Sequence, residues 1–256
     1  MNGRSQVALI LLAICLGSLF SCTQHSDKKL RIATAANMQF AIQQLTADFT
    51  ARTGIECELV ISSSGKLTAQ IKEGAPYDLF VAADMNYPQA IYEAGFAQQK
   101  PEVYAYGKLV LWSYNDESLP LLRMLTDSTI NHIAIANPRT APYGSAAIAV
   151  LNTQKLYDSI SHKLVFGESI SQTNQFITSG AADIGFTALA VVKSTNLKNK
   201  GNWAVIDPGL YDPIAQGVVI LKRDKKSEKD AQAFYSYLFS AEGQNILKYF
   251  GYSVDE

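Results

Sequence analysis

The sequence predicts an α/β protein with two lobes, each built on a mixed, mostly parallel sheet with helices on its faces. Short apolar runs alternate with helical patterns along almost the whole chain, which favours parallel strands joined by helical crossovers. The length of 256 residues suits two lobes of roughly 100 residues each. A composition of 48% hydrophobic and 18% charged residues is typical of a globular chain and excludes extensive disorder.

The first half of the chain begins with strand and helix patterns in alternation. Residues 40–52 form an amphipathic pattern with apolar residues at Phe40, Ile42, Leu45 and Phe49. Gly54 then marks the end of this helix. The predicted strands are residues 30–35, 56–61 and 78–82, and a second predicted helix is residues 66–73.

A second series of the same patterns begins near Gly107. The predicted strands are residues 108–113, 130–136, 163–166, 184–187 and 217–222, and the predicted helices are residues 146–156, 171–178 and 229–250. We interpret the final strand and helix as returning to the first lobe. Lobe 1 is therefore predicted to contain residues 30–105 and 208–256, and lobe 2 residues 106–207, with crossings near residues 104–108 and 207–216.

The N-terminal 21 residues differ from the rest of the chain. Arg4 precedes an apolar run of about 14 residues, which is shorter than the ~20 needed to span a bilayer and is typical of a signal peptide. Leu-Phe-Ser-Cys at residues 19–22 resembles the lipobox of bacterial lipoproteins, which implies lipidation of Cys22 and a polar tether over residues 22–29. An ordinary secretory cleavage site is the alternative. Both interpretations place the protein outside the cytoplasm, and the lipoprotein interpretation places it on the periplasmic side of a bacterial membrane, attached through lipid.

Charge and the scattered reactive side chains limit the function further. The chain carries 22 basic and 23 acidic residues without a long basic block, so no nucleic-acid partner is expected. His25, His132 and His162 are spread along the chain and do not indicate a triad or a metal site. Once the signal peptide is removed and Cys22 is lipidated, Cys57 has no cysteine with which to form an intramolecular disulfide.

Four predicted strands end in small or polar residues that lead directly into a helix. These turns are Ala35-Ala36-Asn37-Met38, Ser62-Ser63-Ser64-Gly65, Ala141-Pro142-Tyr143-Gly144-Ser145 and Glu168-Ser169-Ile170-Ser171. A helix start leaves backbone N–H groups without intrahelical partners and carries about half a positive charge, so it binds anions without Lys or Arg. Asn37, Ser64 and the backbone amides of Tyr143 and Ile170 are expected to converge on one small oxyanion. Ordinary N-capping is the alternative for each turn taken singly.

Six strings distributed along the chain resemble the periplasmic molybdate-binding proteins of bacterial ABC importers. They are AANMQFA, GKLTAQIKEGAPYDLFVAAD, YGKLVLWS, ANPRTAPYGSAA, GESISQTNQFITSGAADIGFTAL and LKYFGY, and the similarity extends over residues 30–252. The resemblance implies a two-lobed type II periplasmic-binding fold that closes on tetrahedral molybdate or tungstate. Position by position, it implies ligand contacts at Asn37, Ser64, Tyr143 and Ile170, with Ala36 and Ser63 as neighbours.

Two departures from the family pattern concern these contacts. Some members donate a tyrosine hydroxyl from the position that is Ala188 here, so this hydrogen bond must be missing or replaced. Asn37 stands where other members carry serine. Both features resemble a subgroup with an Ala-Ala-Asn motif, which implies a variant of the site and leaves the number of contacts open.

The resemblance implies a receptor that captures molybdate, and also tungstate, and delivers it to the permease of an ABC importer. It implies no reaction, no cofactor and no metal held directly by side chains. We expect a monomer that is attached to the membrane through Cys22 and closes by hinge bending.

The chemistry of the ligand agrees with the absence of Asp from the four turns. Molybdate carries no proton at neutral pH, so its site needs hydrogen-bond donors only, whereas phosphate profits from an acceptor. Sulfate is also free of protons and is the first alternative ligand. A serine hydrolase is the second alternative, because Ser63 and Lys66 have the Ser-x-x-Lys spacing of penicillin-binding enzymes. That alternative needs an acid or base within reach of Ser64.

Overall fold

The computed structural model describes residues 29–114, 119–195, 197, 200–223 and 225–254, and it contains two five-stranded sheets flanked by helices. The predicted signal peptide, Cys22 and nearly all of the predicted tether lie outside the described residues. The predicted α/β class with two mixed sheets is confirmed. None of the helices in the described ranges combines the length and the apolar character that spanning a bilayer requires.

Both sheets have a parallel side and an antiparallel side. In chain order, the described strands are β1 (Leu30–Ala35), β2 (Cys57–Ser62), β3 (Leu79–Val81), β4 (Glu102–Gly107), β5 (Leu109–Ser113), β6 (Ile133–Ala136), β7 (Leu164–Gly167), β8 (Ile184–Ala188), β9 (Asn202–Val205) and β10 (Ile214–Ile220). The first sheet has the order β2-β1-β3-β10-β4, with β1 parallel to β2 and β3 and with β10 antiparallel to both of its neighbours. The second has the order β7-β6-β8-β5-β9, with β6 parallel to β7 and β8. In this sheet β5 is antiparallel to β8 and β9.

Helices connect most of the strands and cover the sheets. They are α1 (Gln39–Thr53), α2 (Ser64–Lys72), α3 (Asn86–Glu93), α4 (Pro142–Thr153), α5 (Tyr157–Ile160), α6 (Ile170–Thr178), α7 (Leu189–Val192), α8 (Lys225–Leu238) and α9 (Ala241–Tyr249). A short 3-10 helix, Ala36–Met38, stands between β1 and α1.

The helix predicted for residues 40–52 is confirmed as α1, and its apolar stripe forms part of the core. Ile42, Leu45 and Phe49 are buried, and the Phe49 ring meets the Phe234 ring of α8 edge to face at a centroid distance of 5.1 Å. Each such side chain contributes about 1.5–3 kcal/mol through its burial. Gly54 ends the helix in a left-handed conformation with φ 74°, which glycine adopts without steric cost.

Along the described strands, the chain passes between the two sheets twice. β4 ends at Gly107 in the first sheet and β5 begins at Leu109 in the second. The return passage runs from the end of β9 at Val205 to the start of β10 at Ile214. These passages overlap the predicted crossings, while the residue limits of the two lobes stay a prediction.

The single C-terminal helix predicted for residues 229–250 is wrong, because two helices, α8 and α9, occupy this segment. Ser240 has an extended backbone, and its hydroxyl accepts a hydrogen bond from the N–H of Gly243 at 3.2 Å, which caps a new helix. Leu238 and Leu247 are buried in the same core, so the apolar pattern continues across the break and conceals it.

Other differences concern helix starts and sheet edges. α4 begins at Pro142 instead of residue 146, since proline is well suited to the first turn of a helix. The strands β4 and β9 were not predicted; both lie at the edge of a sheet and are partly exposed, so neither has the continuous apolar run of a central strand.

Candidate functional site

Four parallel strands, two from each sheet, lead at their carboxyl ends into four helix starts. β1 is followed by the 3-10 helix and β2 by α2, whereas β6 is followed by α4 and β7 by α6. Open α/β sheets bind ligands at this edge. One cavity lies where the four starts meet, and it is lined by all six residues that the sequence predicted as contacts or neighbours: Ala36, Asn37, Ser63, Ser64, Tyr143 and Ile170.

The cavity is small, and no charged side chain lines it. Its volume is about 10 Å³, far below the several hundred Å³ of a site for a drug-sized ligand. Sequence reasoning missed four further lining residues, which are Ala35, Ala83, Ala141 and Pro142. Ala35, Ala141 and Pro142 are small or turn residues within the predicted turns, so their position in the sequence could have identified them. Ala83 follows β3 without a helix and gave no signal.

The residues that precede the four helix starts mostly do not cap them. Ala35 and Ala141 have no side-chain acceptor, and the Ser63 hydroxyl makes no capping hydrogen bond although it occupies the N-cap position of α2. Ser169 does cap α6, accepting a hydrogen bond from the N–H of Gln172 at 3.4 Å. The ordinary N-cap interpretation therefore applies to α6 alone among the four, and the other three starts present N–H groups that no side-chain cap occupies.

Two serine hydroxyls supply further donors. Ser63 Oγ is buried and has no hydrogen-bond partner within the described part of the chain. A buried polar group without a partner costs about 1–3 kcal/mol, which a ligand acceptor would recover. Ser64 Oγ accepts a hydrogen bond from the N–H of Ala83 at 3.0 Å, so its own proton remains available for a second acceptor.

Asn37 lines the cavity, but its side-chain nitrogen is directed elsewhere. Asn37 Nδ2 donates to Gln216 Oε1 at 2.7 Å and to the Tyr252 hydroxyl at 3.1 Å, which uses both of its protons. In this arrangement the contribution of Asn37 to the cavity is its backbone N–H. Asn37 Oδ1 is buried and has no hydrogen-bond partner among the described residues.

Tyr143 directs its hydroxyl away from the cavity and toward the first sheet. Its Oη accepts a hydrogen bond from Gln216 Nε2 at 3.4 Å, and burial raises its pKa well above the usual value, so the phenol stays neutral. A Cβ at Gly107 would lie 2.0 Å from this oxygen, so only glycine leaves room for the contact. The backbone amide of Tyr143 is therefore its candidate ligand donor.

Four pairs of residues meet across the mouth of the cleft, and we call them the rim contacts. The N–H of Gly65 donates to the Thr140 carbonyl at 2.9 Å, and the Ser171 hydroxyl donates to Gln39 Oε1 at 2.7 Å. The two remaining rim contacts are the hydrogen bond from the Tyr87 hydroxyl to the Arg139 carbonyl, at 3.1 Å, and the ion pair of Lys66 with Glu168.

Gly65 is required for this approach. A Cβ at this position would lie 2.9 Å from Thr140 Cα, closer than side-chain carbons approach a backbone. The structure therefore has the two lobes in contact over the cavity, and the absence of a side chain at Gly65 makes this approach feasible.

Two residues singled out in the sequence lie outside the cavity. Ala188 ends β8 in a fully buried position and is not among the lining residues. The Glu168 carboxylate is paired with Lys66 at the rim. Among the described residues, no cluster of three or more His, Cys, Asp or Glu side chains is placed to hold a metal ion.

The fold and this site define the class of the protein. The chain matches the family model of bacterial extracellular solute-binding proteins over residues 30–253. It belongs to this family, which agrees with the predicted location outside the cytoplasm.

Individual relatives are more specific. The molybdate-binding protein ModA of Azotobacter vinelandii is 36% identical over 255 residues, which cover 96% of this chain and 98% of ModA. ModA of Rhodobacter capsulatus is 35% identical over 224 residues, or 87% of each chain. The solved structure of the Azotobacter vinelandii periplasmic molybdate-binding protein matches with a TM-score of 0.85 at 34% identity, covering 89% of this chain and 100% of that one. The resemblance stated from the sequence motifs is confirmed.

Proposed function

We propose that the protein captures molybdate, and also tungstate, outside the cytoplasm and delivers it to the permease of an ABC importer. The observation that carries this proposal is the cavity between the lobes, which offers hydrogen-bond donors from four helix starts and no charged side chain. Relatives named molybdate-binding protein, 35% and 36% identical over most of both chains, support the choice of anion.

An uncharged lining rich in donors suits a dianion without protons. All four molybdate oxygens accept hydrogen bonds, and a carboxylate in the lining would repel them. About six charge-assisted hydrogen bonds of about 1.5–3 kcal/mol each leave roughly 10 kcal/mol after the costs of closure and desolvation. This corresponds to a Kd between about 1 μM and tens of nM.

Titration calorimetry with molybdate, repeated in a large excess of sulfate, tests the proposal on the soluble chain from residue 29 onward. We expect saturable one-to-one binding in both conditions, because the closed cavity selects by size between two anions of equal charge. Binding that sulfate abolishes would reassign the receptor to sulfate. No binding of molybdate in either condition would contradict the proposal.

The serine-hydrolase alternative receives no support from the surroundings of Ser64. The contact of its hydroxyl is the backbone N–H of Ala83. No carboxylate, imidazole or amine lines the described cavity, so no general base is available there. The family to which the chain belongs is one of solute-binding receptors.

We also propose that lipid on Cys22 holds the mature protein, as a monomer, at the membrane. The lipobox-like string at residues 19–22 supports this attachment. Fractionation of cells that express the full chain should recover it with membranes, and Cys22→Ser should release it or leave the signal peptide uncleaved. Recovery of the unchanged chain in the soluble fraction would favour ordinary secretory cleavage.

A further inference from the structure

Gln216 connects the two sides of the candidate site without lining it. Its Oε1 accepts hydrogen bonds from Asn37 Nδ2 at 2.7 Å and from the Tyr104 hydroxyl at 2.9 Å. Its Nε2 donates to the Tyr143 hydroxyl at 3.4 Å. Gln216 is fully buried. Through these hydrogen bonds it contacts one cavity residue from each half of the site, Asn37 and Tyr143.

The network of these side chains leaves one buried acceptor without a partner, Asn37 Oδ1. Asn37 Nδ2 has both protons engaged, with Gln216 and with the Tyr252 hydroxyl. Because the two amides face each other at 2.7 Å, one of them must donate where the other accepts. The orientation of Gln216 therefore dictates the orientation of Asn37.

A concerted rotation of both amides by about half a turn, which exchanges N and O at nearly the same positions, gives a second arrangement. Gln216 Nε2 then donates to Asn37 Oδ1. The Tyr252 hydroxyl, which donates to the Asn37 carbonyl at 3.2 Å in the first arrangement, donates to the same Oδ1 in the second. Gln216 Oε1 becomes the acceptor for Tyr143. Both protons of Asn37 Nδ2 are then free of protein partners, and they lie where Oδ1 lay before.

Tyr104 has an alternative acceptor when Gln216 rotates. The Tyr104 hydroxyl already lies 3.3 Å from the carbonyl of Ala82, which can accept its proton when Gln216 turns. Tyr104 is the extra residue of a β-bulge, since Gln216 pairs with Ala105 while Gly217 pairs with Val103. The first arrangement leaves Oδ1 unpaired. The second needs an external acceptor for Nδ2 and gives up the hydrogen bond from the Tyr252 hydroxyl to the Asn37 carbonyl.

We propose that Gln216 is a positioning residue for oxyanion binding, and that it rotates together with Asn37 so that Asn37 Nδ2 turns toward the bound anion. This inference rests on the proposed function, because the anion oxygens supply the acceptor that the second arrangement requires. It identifies the Asn37 side chain as the donor that takes the place of the tyrosine hydroxyl missing at Ala188.

A double-mutant cycle tests the coupling with molybdate in the calorimeter: wild type, Gln216→Met, Asn37→Ser and the double variant. We expect Gln216→Met to weaken binding about tenfold in the chain that retains Asn37. In the Asn37→Ser background its effect should be only about two- to threefold, since the shorter serine does not extend to Gln216 and only the contact with the Tyr143 hydroxyl is lost. A merely structural role would give the same loss in both backgrounds and would overturn the inference.

Side-chain amide NMR of the wild-type chain gives a second readout that needs no variant to bind. Molybdate should shift the Asn37 and Gln216 NH₂ resonances together; a shift of Asn37 with Gln216 unmoved would overturn the coupled rotation. Wild-type binding with no loss in Gln216→Met overturns the inference alone. A wild type that binds neither molybdate nor tungstate overturns the proposed function and this inference together.

Discussion

The two lobes meet in two regions, the cavity lining and the rim contacts, and the chemistry of these regions differs. The lining is mostly buried and uncharged, and it presents backbone amides and two serine hydroxyls. The rim includes an ion pair whose side chains are 44% and 65% exposed, Lys66 and Glu168. Electrostatic interactions are strong in a desolvated cavity and weak in water. We therefore expect the lining to determine the affinity for the anion. The rim should change only the stability of the closed state, by a smaller amount.

The largest effect should come from a negative charge in the lining. Ser63→Asp places a carboxylate beside a dianion in a desolvated site, and we expect molybdate affinity to fall by more than about 1000-fold. Ser63→Ala is the matched control, which removes one donor and should cost about tenfold. Since Ser63 Oγ has no described protein partner, the free Ser63→Ala chain should keep its thermal stability. Tight binding by Ser63→Asp would show that the anion lies elsewhere.

The next largest effect is expected at the rim, where the two lobes approach each other closely. Gly65→Ala places a methyl group 2.9 Å from Thr140 Cα, and such overpacking costs about 1–3 kcal/mol. We expect affinity to fall about 10- to 100-fold through loss of the closed state. Small-angle scattering with molybdate should show a chain that remains open. Gly209→Ala, where the nearest atom lies at 3.4 Å, is the control and should bind like wild type.

A smaller effect is expected from the Tyr143 hydroxyl, which accepts a hydrogen bond from Gln216 in the other lobe. Tyr143→Phe keeps the ring and the backbone amide and removes the contact with Gln216 at 3.4 Å, so affinity should fall about 2- to 10-fold. Tyr77→Phe is the matched control, because Tyr77 bonds Gln70 at 2.9 Å within one lobe. Equal losses in both variants would mean that the Tyr143 hydroxyl plays no part in closure.

The rim ion pair should matter less. Lys66→Gln removes an exposed pair with Glu168, and we expect at most about a fivefold faster dissociation in low salt. About 1 M NaCl should abolish the difference from wild type by screening. Stopped-flow measurements give the dissociation rate of each chain in low salt and in high salt. A loss that persists in high salt would place Lys66 in the site itself.

The smallest effect is expected from pH, because burial raises the pKa of Tyr104, Tyr143 and Tyr252 above the usual 10.0. Below about pH 10 these phenols are neutral in the folded and unfolded chains alike, so they make the free energy of unfolding neither rise nor fall. Above it the unfolded chain releases protons that the folded chain retains, and stability falls. Urea titrations from about pH 7 to pH 11 measure this; a decline below pH 9 would contradict it.

The elements that the sequence predicted well are those whose signals are local. The helix from Gln39 to Thr53 was recognised from its apolar spacing and its terminating Gly54. The failures have non-local causes. The break at Ser240 is hidden because both helices present their apolar faces to one core. Among the described strands, β4 and β9 each pair with one neighbour only, and β4 has a single further bridge to Ser253.

Within the candidate site, the sequence by itself identified the helix starts and six of the lining residues. It could do so because free N–H groups and small residues at a strand end are properties of a few consecutive positions. The partners of those residues were not accessible in the same way. Asn37 meets Gln216 and Tyr252 at separations of 179 and 215 residues along the chain. Only the tertiary structure decides such contacts, because the strand order of the first sheet brings the end of β1 near β10 and the C-terminal segment lies beside β4 of the same sheet. With them it decides how the Asn37 amide is oriented.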